Sequence, residues 1–196
     1  AEDAGTFNTT VLDTAIDLAN IEGLIYDGED ENEALTITGT SGADTIVHTP
    51  GSTDDAGTVQ VNSLLAIAYT NLGTGAAADV ILASGGDDDT LVYLGTSGDD
   101  SFTVDANGDV ILASRVEVSA AAMNRLTIEL LDGNDTVSVA ASGNFAGGLR
   151  IEGGSSDPTS DAVTVTGQDN TADDDIDVSL AAGTVTGIVG GTITLT

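Results

Sequence analysis

The sequence predicts an all-β chain, a parallel β-solenoid with glycine- and aspartate-rich turns, and three observations carry that expectation. A turn recurs: Gly39-Thr40-Ser41-Gly42-Ala43-Asp44-Thr45-Ile46 is nearly repeated by Gly95-Thr96-Ser97-Gly98-Asp99-Asp100-Ser101-Phe102, each time ahead of an alternating run. Short apolar runs are punctuated by Gly, Asp, Asn or Ser every ~8 to 15 residues, which is a strand-and-turn cadence. Finally, 40% of residues are hydrophobic, yet there are only three Phe, three Tyr and no Trp. A core of small aliphatic side chains suits thin stacked layers better than a deep globular interior.

Charge bounds the function classes. The 196 residues carry 33 acidic side chains against three arginines (Arg115, Arg125, Arg150), a formal charge of −30. Self-repulsion of that size opposes compaction, so folding is expected to call for salt or bound cations. Disorder does not fit the regular runs of Val, Ile and Leu. Nucleic acid is disfavoured as a partner by the charge. There is no cysteine, hence no disulfide or thiol chemistry. No apolar run approaches the roughly 20 residues of a membrane span, the longest candidate being the strand-sized 64–69. The opening Ala-Glu-Asp-Ala reads as a mature start after signal-peptide removal, and the close at 191–196, without a capping element, as part of a longer polypeptide.

Taken in order, residues 1–23 read as a cap or linker: 1–10 are polar, and Leu12, Ile16 and Ala19 fit a helix face while Ile16 and Leu18 also fit a strand. Residues 24–196 read as irregular repeats. Strands are expected at 24–26, 35–38, 58–61, 80–82, 91–94, 102–104, 110–112, 116–118, 126–130, 137–139, 149–151, 163–165, 176–178, 184–186 and 192–195. The alanine-rich patch 119–125 is too short to nucleate a helix. A larger unit recurs as well: Leu126-Thr127-Ile128, then Asp132-Gly133-Asn134-Asp135, then Thr136-Val137-Ser138-Val139, with counterparts at 149–167, 24–39 and 85–95. Such spacing implies coils of unequal length, each burying its apolar face on the next.

Glycines in these turns expose backbone carbonyls, and an aspartate beside bare carbonyls is chemistry that suits a hard cation. The half-motif Gly-x-Asp-x-apolar resembles that of the hemolysin-type (RTX) calcium-binding repeats, whose nonapeptide is G-G-x-G-x-D-x-apolar-x. Residues 39–47 and 95–103 keep the first and fourth glycines, the aspartate and the apolar residue; Gly133, Asp135 and Val137 keep three positions, Asp89 and Leu91 two. The resemblance implies a parallel β-roll with calcium held between the turns of adjacent coils. Its ligands here would be Asp44, Asp87, Asp89, Asp99, Asp100, Asp132 and Asp135, with Gly42, Gly98 and Gly133 as carbonyl donors. The nonapeptides are not consecutive, so isolated sites are expected rather than a regular ladder of ions. Against this stands plain turn chemistry, in which aspartate bonds backbone amides with no metal. The acidic stretches 27–33, 87–89 and 173–175 read equally as solvated faces.

Other chemistry finds little footing. His48 is the one histidine and there is no cysteine, which argues against zinc or nucleophilic sites. Three arginines are few for a cleaver of acidic polysaccharides, and Tyr26, Tyr69 and Tyr93 make a poor sugar-stacking platform. A pair of Ig-like sandwiches is the rival fold, but sandwich loops share no recurring turn. The expected function is therefore a non-enzymatic, extracellular or cell-surface structural module of the S-layer, filament or adhesin type. It would be stabilised by calcium, self-associate into a fibre or lattice, and meet a surface glycan at most. A carbohydrate-active β-helix and a passenger segment of a secreted toxin or hydrolase are the alternatives.

Overall fold

The computed structural model describes residues 4–7, 16–30, 32–75, 79–140, 144–154, 161–167, 177–179, 184–186 and 192–195. These are all-β, without helices: a two-stranded sheet and two larger mixed sheets of seven and ten strands, with many parallel pairs. The hairpin β1 (Ala4–Phe7) and β2 (Ile16–Ala19) pairs with itself alone among the described residues. At β2 the strand alternative of the sequence holds.

From there the chain alternates between the large and the small sheet. Strand β3 (Leu24–Asp27) opens the large sheet and β4 (Leu35–Thr38) the small one. A three-strand meander follows in the large sheet, β5 (Thr45–Pro50), β6 (Gly57–Val61) and β7 (Ile67–Thr70). Then β8 (Asp79–Ala83) lies in the small sheet and β9 (Thr90–Leu94) in the large. A second meander, β10 (Ser101–Val104), β11 (Asp109–Leu112) and β12 (Glu117–Ser119), belongs to the small sheet. Single strands alternate again: β13 (Arg125–Glu129), β14 (Thr136–Ala140), β15 (Gly148–Glu152) and β16 (Ala162–Thr166). The described chain closes with β17 (Asp177–Ser179), β18 (Thr184–Thr186) and β19 (Thr192–Leu195), a further meander in the large sheet.

The order in the large sheet is β17-β18-β19-β15-β13-β9-β5-β6-β7-β3, and in the small sheet β16-β14-β10-β11-β12-β8-β4. The chain thus leaps ahead to β5 and walks back through β6 to β7, which lands parallel to β3. In the small sheet it leaps to β10 and walks back to β12, parallel to β8. The two walks are the same device. Each ends its middle strand on a left-handed residue, Asn62 or Ala113 (φ 51° in both), whose N–H bonds back to the carbonyl of Thr45 or Ser101 at 2.8 Å. Purely parallel stacking, the expectation from sequence, is broken at these meanders. The parallel pairs in turn rule against Ig-like sandwiches, whose sheets are antiparallel.

Alternation of β-branched and polar residues puts one face of each strand inward. Parallel register then lines like with like: Ile46, Leu91, Leu126, Leu149 and Ile193 form one column up the large sheet. Phe102, Val137 and Val163 form another in the small sheet. Both inner faces merge into a single hydrophobic cluster. Each fully buried Leu or Ile contributes about 1.5–3 kcal/mol relative to exposure.

Between strands the turns lie directly on one another. A methyl group on Gly85 would fall on the carbonyl oxygen of Thr40, and one on Gly154 on that of Leu131; at Gly133 (φ 143°) it would stand 2.6 Å from the Gly98 carbonyl oxygen. By contrast a methyl on Gly42 meets nothing within 4 Å, and one on Gly98 only Thr96 Oγ1 at 3.8 Å. The glycines that matter sterically are therefore those beneath a neighbouring turn. Gly85→Ala should lower stability by about 1–3 kcal/mol through backbone overpacking. Gly98→Ala should stay neutral or gain up to about 1 kcal/mol from a stiffer unfolded chain. Urea midpoints of the two variants check the ordering.

Candidate functional site

The recurring turn is closed by its own threonine and aspartate. In the second copy Thr96 N–H donates to Asp100 Oδ2 (2.6 Å) and Thr96 Oγ1 to Oδ1 (3.0 Å), while Gly98 N–H donates to Thr96 Oγ1 (3.1 Å). In the first, Thr40 N–H donates to Asp44 Oδ2 (2.5 Å), Thr40 Oγ1 to Oδ1 (2.8 Å), and Gly42 N–H to Thr40 Oγ1 (3.3 Å). Both turns lead into a meander. The first is tied to its own meander by Asn62, whose Nδ2 donates to Asp44 Oδ1 (2.5 Å) and whose Oδ1 accepts from Thr45 N–H (2.9 Å).

The aspartates also join turn to turn. Asp44 N–H donates to Asp89 Oδ1 (2.8 Å), and Thr90 N–H returns to the Asp44 carbonyl (2.8 Å). At the opposite connections Asp100 N–H donates to Asp135 Oδ1 (2.8 Å) and Asp135 N–H to Asp161 Oδ1 (3.1 Å). The return bonds run from Thr136 N–H to the Asp100 carbonyl and from Ala162 N–H to the Asp135 carbonyl, each 2.9 Å. Two ladders result, Asp44–Asp89 and Asp100–Asp135–Asp161. Four of the five members are buried, Asp44 2%, Asp89 0%, Asp100 8% and Asp135 0% exposed, while Asp161 stands exposed at the end of its ladder. Oδ2 of Asp89 and of Asp135 is buried with no hydrogen-bond partner. Burial pushes the Asp135 carboxyl above its ordinary range; the Asp100 N–H bond opposes the rise, and the charges of Asp100, Asp161 and Asp99 add to it.

These positions bear on calcium. Of the ten residues proposed from sequence, Asp44, Asp89, Asp100 and Asp135 converge into the ladders, while Asp87, Asp99, Asp132 and Gly98 stand exposed at the corners and Gly42 and Gly133 are half-buried. Asp99 Oδ1 accepts from Asn134 N–H (2.9 Å). Among the described residues no group of three or more His, Cys, Asp or Glu side chains is arranged to hold a metal ion. In the ladders, Oδ1 of Asp89 and of Asp135 accepts from a backbone amide of the neighbouring turn. The acidic run 173–175 lies outside the described residues.

Several contributors have no motif. Asn62 and Asp161 act across gaps of 18 and 26 residues from their partners, which local reading does not see. A second carboxylate group appears only on the outer face of the small sheet, where Glu117 lies in register beside Asp79 on the neighbouring strand. Glu117 is pushed up by burial, by Asp109, Asp79 and Asp105, and by a hydrogen bond with the Asp109 side chain; Asp79 is pushed up by burial and by Asp109. An open groove of about 490 Å³ is lined by Ser97, Glu129, Leu131, Asp132, Glu152, Gly153 and Gly154. His48 lies in the core instead. Compared with protein-family profiles, with curated proteins and with solved structures, the chain matches none.

The ladder makes a prediction independent of metal. Asp135→Ala strands the buried Asp100 N–H and should cost about 1–3 kcal/mol, whereas Asp135→Asn keeps an acceptor and should cost less. Urea denaturation in excess chelator reads both. For Glu117 and Asp79, a folded-state pKa raised above the unfolded value means stability present at low pH and lost as pH rises through the folded value. Glu117→Gln should therefore raise the melting temperature at pH 7 and leave it nearly unchanged at pH 3.5, as thermal scans at the two pH values would show.

Proposed function

We propose that the chain is a non-enzymatic structural module, an irregular two-sheet β-solenoid segment of an extracellular surface-layer, filament or adhesin-type protein. The observation that carries this reading is the pair of aspartate ladders. Asp44, Asp89, Asp100 and Asp135, the aspartates at the end of each turn, join one turn to the next rather than facing a substrate. Stacking of this kind lends itself to extension, because the outermost strands β3 and β4 at one end and β16 and β17 at the other present ladder edges to further strands. Such edges support self-association into a fibre or lattice as part of the proposal.

Calcium belongs to the proposal as a screen of the acidic corners and not as the organising ligand of the described turns. With a formal charge of −30, divalent counter-ions at Asp87, Asp99 and Asp132 relieve repulsion without entering the ladders. Location outside the cell, where calcium is abundant, is part of the same reading. The carbohydrate-active alternative loses ground because Tyr69 and Tyr93 are buried and offer no stacking surface. No helix is long and apolar enough to cross a membrane among the described residues.

A calcium titration of chelator-treated protein, followed by far-UV circular dichroism and light scattering, tests the proposal. The β signal is expected before calcium is added, at moderate salt, with thermal stability and scattering both rising at millimolar calcium. A chain that stays monomeric at every calcium concentration would sink the self-associating module.

A further inference from the structure

His48 lies on β5 facing inward, 1% exposed, in the part of the core where the two meanders meet. Its Nε2 is 2.8 Å from Tyr69 Oη on β7, so the contact spans the first meander from its outgoing to its returning strand. The imidazole stands edge-on to Tyr93 of β9, centroids 4.3 Å apart, and Tyr93 in turn meets Phe102 of the second meander at 5.2 Å. His48 Nδ1 and Tyr93 Oη are buried without a hydrogen-bond partner. Above this cluster, Arg115 fastens the two meanders: its Nη1 donates to the carbonyls of Gly51 (2.9 Å) and Thr53 (2.8 Å) in the β5–β6 turn.

We propose that His48 is an acid release built into the joint between the two meanders, compatible with the packed core only as the neutral ring. The groups facing it leave no place for a second proton. Tyr69 and Tyr93 are neutral phenols, Phe102 behind Tyr93 is apolar, and the charge that acts on the ring is the Arg115 guanidinium, which repels an imidazolium. Asp55 acts on Tyr69 and Asp100 on Tyr93, and neither hydrogen-bonds the imidazole. Burial, with Arg115 second, holds the imidazole down from 6.5 to about 3. A folded-state value below the unfolded one means that stability present above pH 6.5 is lost progressively as pH falls toward 3. At pH 4 the unfolded-to-folded ratio is raised roughly 300-fold by this one group, from those two values.

Because the chain has one histidine, the Hε1 proton of its imidazole gives one NMR signal. In the folded protein that signal should keep its neutral-ring shift from pH 8 down to about 4.5, and charge only as the near-UV tyrosine signal collapses. His48→Phe, which fills the same ring volume, should lose the extra acid sensitivity between pH 6.5 and 4 while remaining subject to carboxylate titration. The proposal is overturned by an imidazole that titrates near 6.5 with the fold intact, or by identical pH dependence in the wild type and His48→Phe. Should His48→Phe fail to fold, the wild-type NMR titration alone decides.

Discussion

Everything in this molecule rests on the bond from one turn's backbone N–H to the aspartate of the turn stacked upon it. A turn leaves amides unpaired by the strand ladders, and stacking buries them, so each needs an acceptor of short reach. Aspartate supplies one, and the charge strengthens the bond. Glycine supplies the other half of the fit, because only a residue without Cβ lets the Gly85 backbone settle on the Thr40 carbonyl. The same two residue types therefore bring the turns close and then tie them. The cost is a row of buried carboxylates in a chain already strongly acidic, and it is visible in the orphaned Oδ2 atoms of Asp89 and Asp135.

The turns that lead into meanders differ from those that lead into single strands, and the difference is chemical. In the former, Thr40 and Thr96 satisfy both carboxylate oxygens of Asp44 and Asp100 from within the turn. In the latter, Gly85 and Leu131 occupy the corresponding place and one oxygen is left over. The meanders also change the core. Aliphatic side chains fill most of the stacked columns, whereas His48, Tyr69, Tyr93 and Phe102 gather where the two meanders meet.

Much of this was legible in the residues. Alternation located the strands from Leu24 onward, β5 and β7 excepted, to within a residue or so, and the repeated Gly-Thr-Ser-Gly-x-Asp located both lead-in turns. What could not be read was pairing. Residues 45–50 carry His48 and Pro50 and lack a clean apolar run, so β5 did not stand out, and nothing local says that β9 rather than β6 extends the sheet beyond it. The aspartates were recognised as turn residues that could bind an ion. Their commitment to amides in neighbouring turns depends on contacts across tens of residues, such as Asp100 with Asp135. The burial of His48 follows from its place two residues after Ile46, a period-two signal that was present and outweighed by its polarity.

The leap-and-return path has a mechanical meaning. A simple coil pulled by its first residues can be unwound one turn at a time, each small event sparing the rest. Here, once β3 and β4 have been drawn off, the next strand along the chain is β5, which lies inside the sheet between β6 and β9. Drawing it out requires the bonds on both its edges to break together, along with its ties to Asn62 and Asp89. The same obstacle recurs at β10, held between β11 and β14. Under tension the chain is therefore interlocked like a stitch rather than wound like a spring, and load is borne by whole meanders at once.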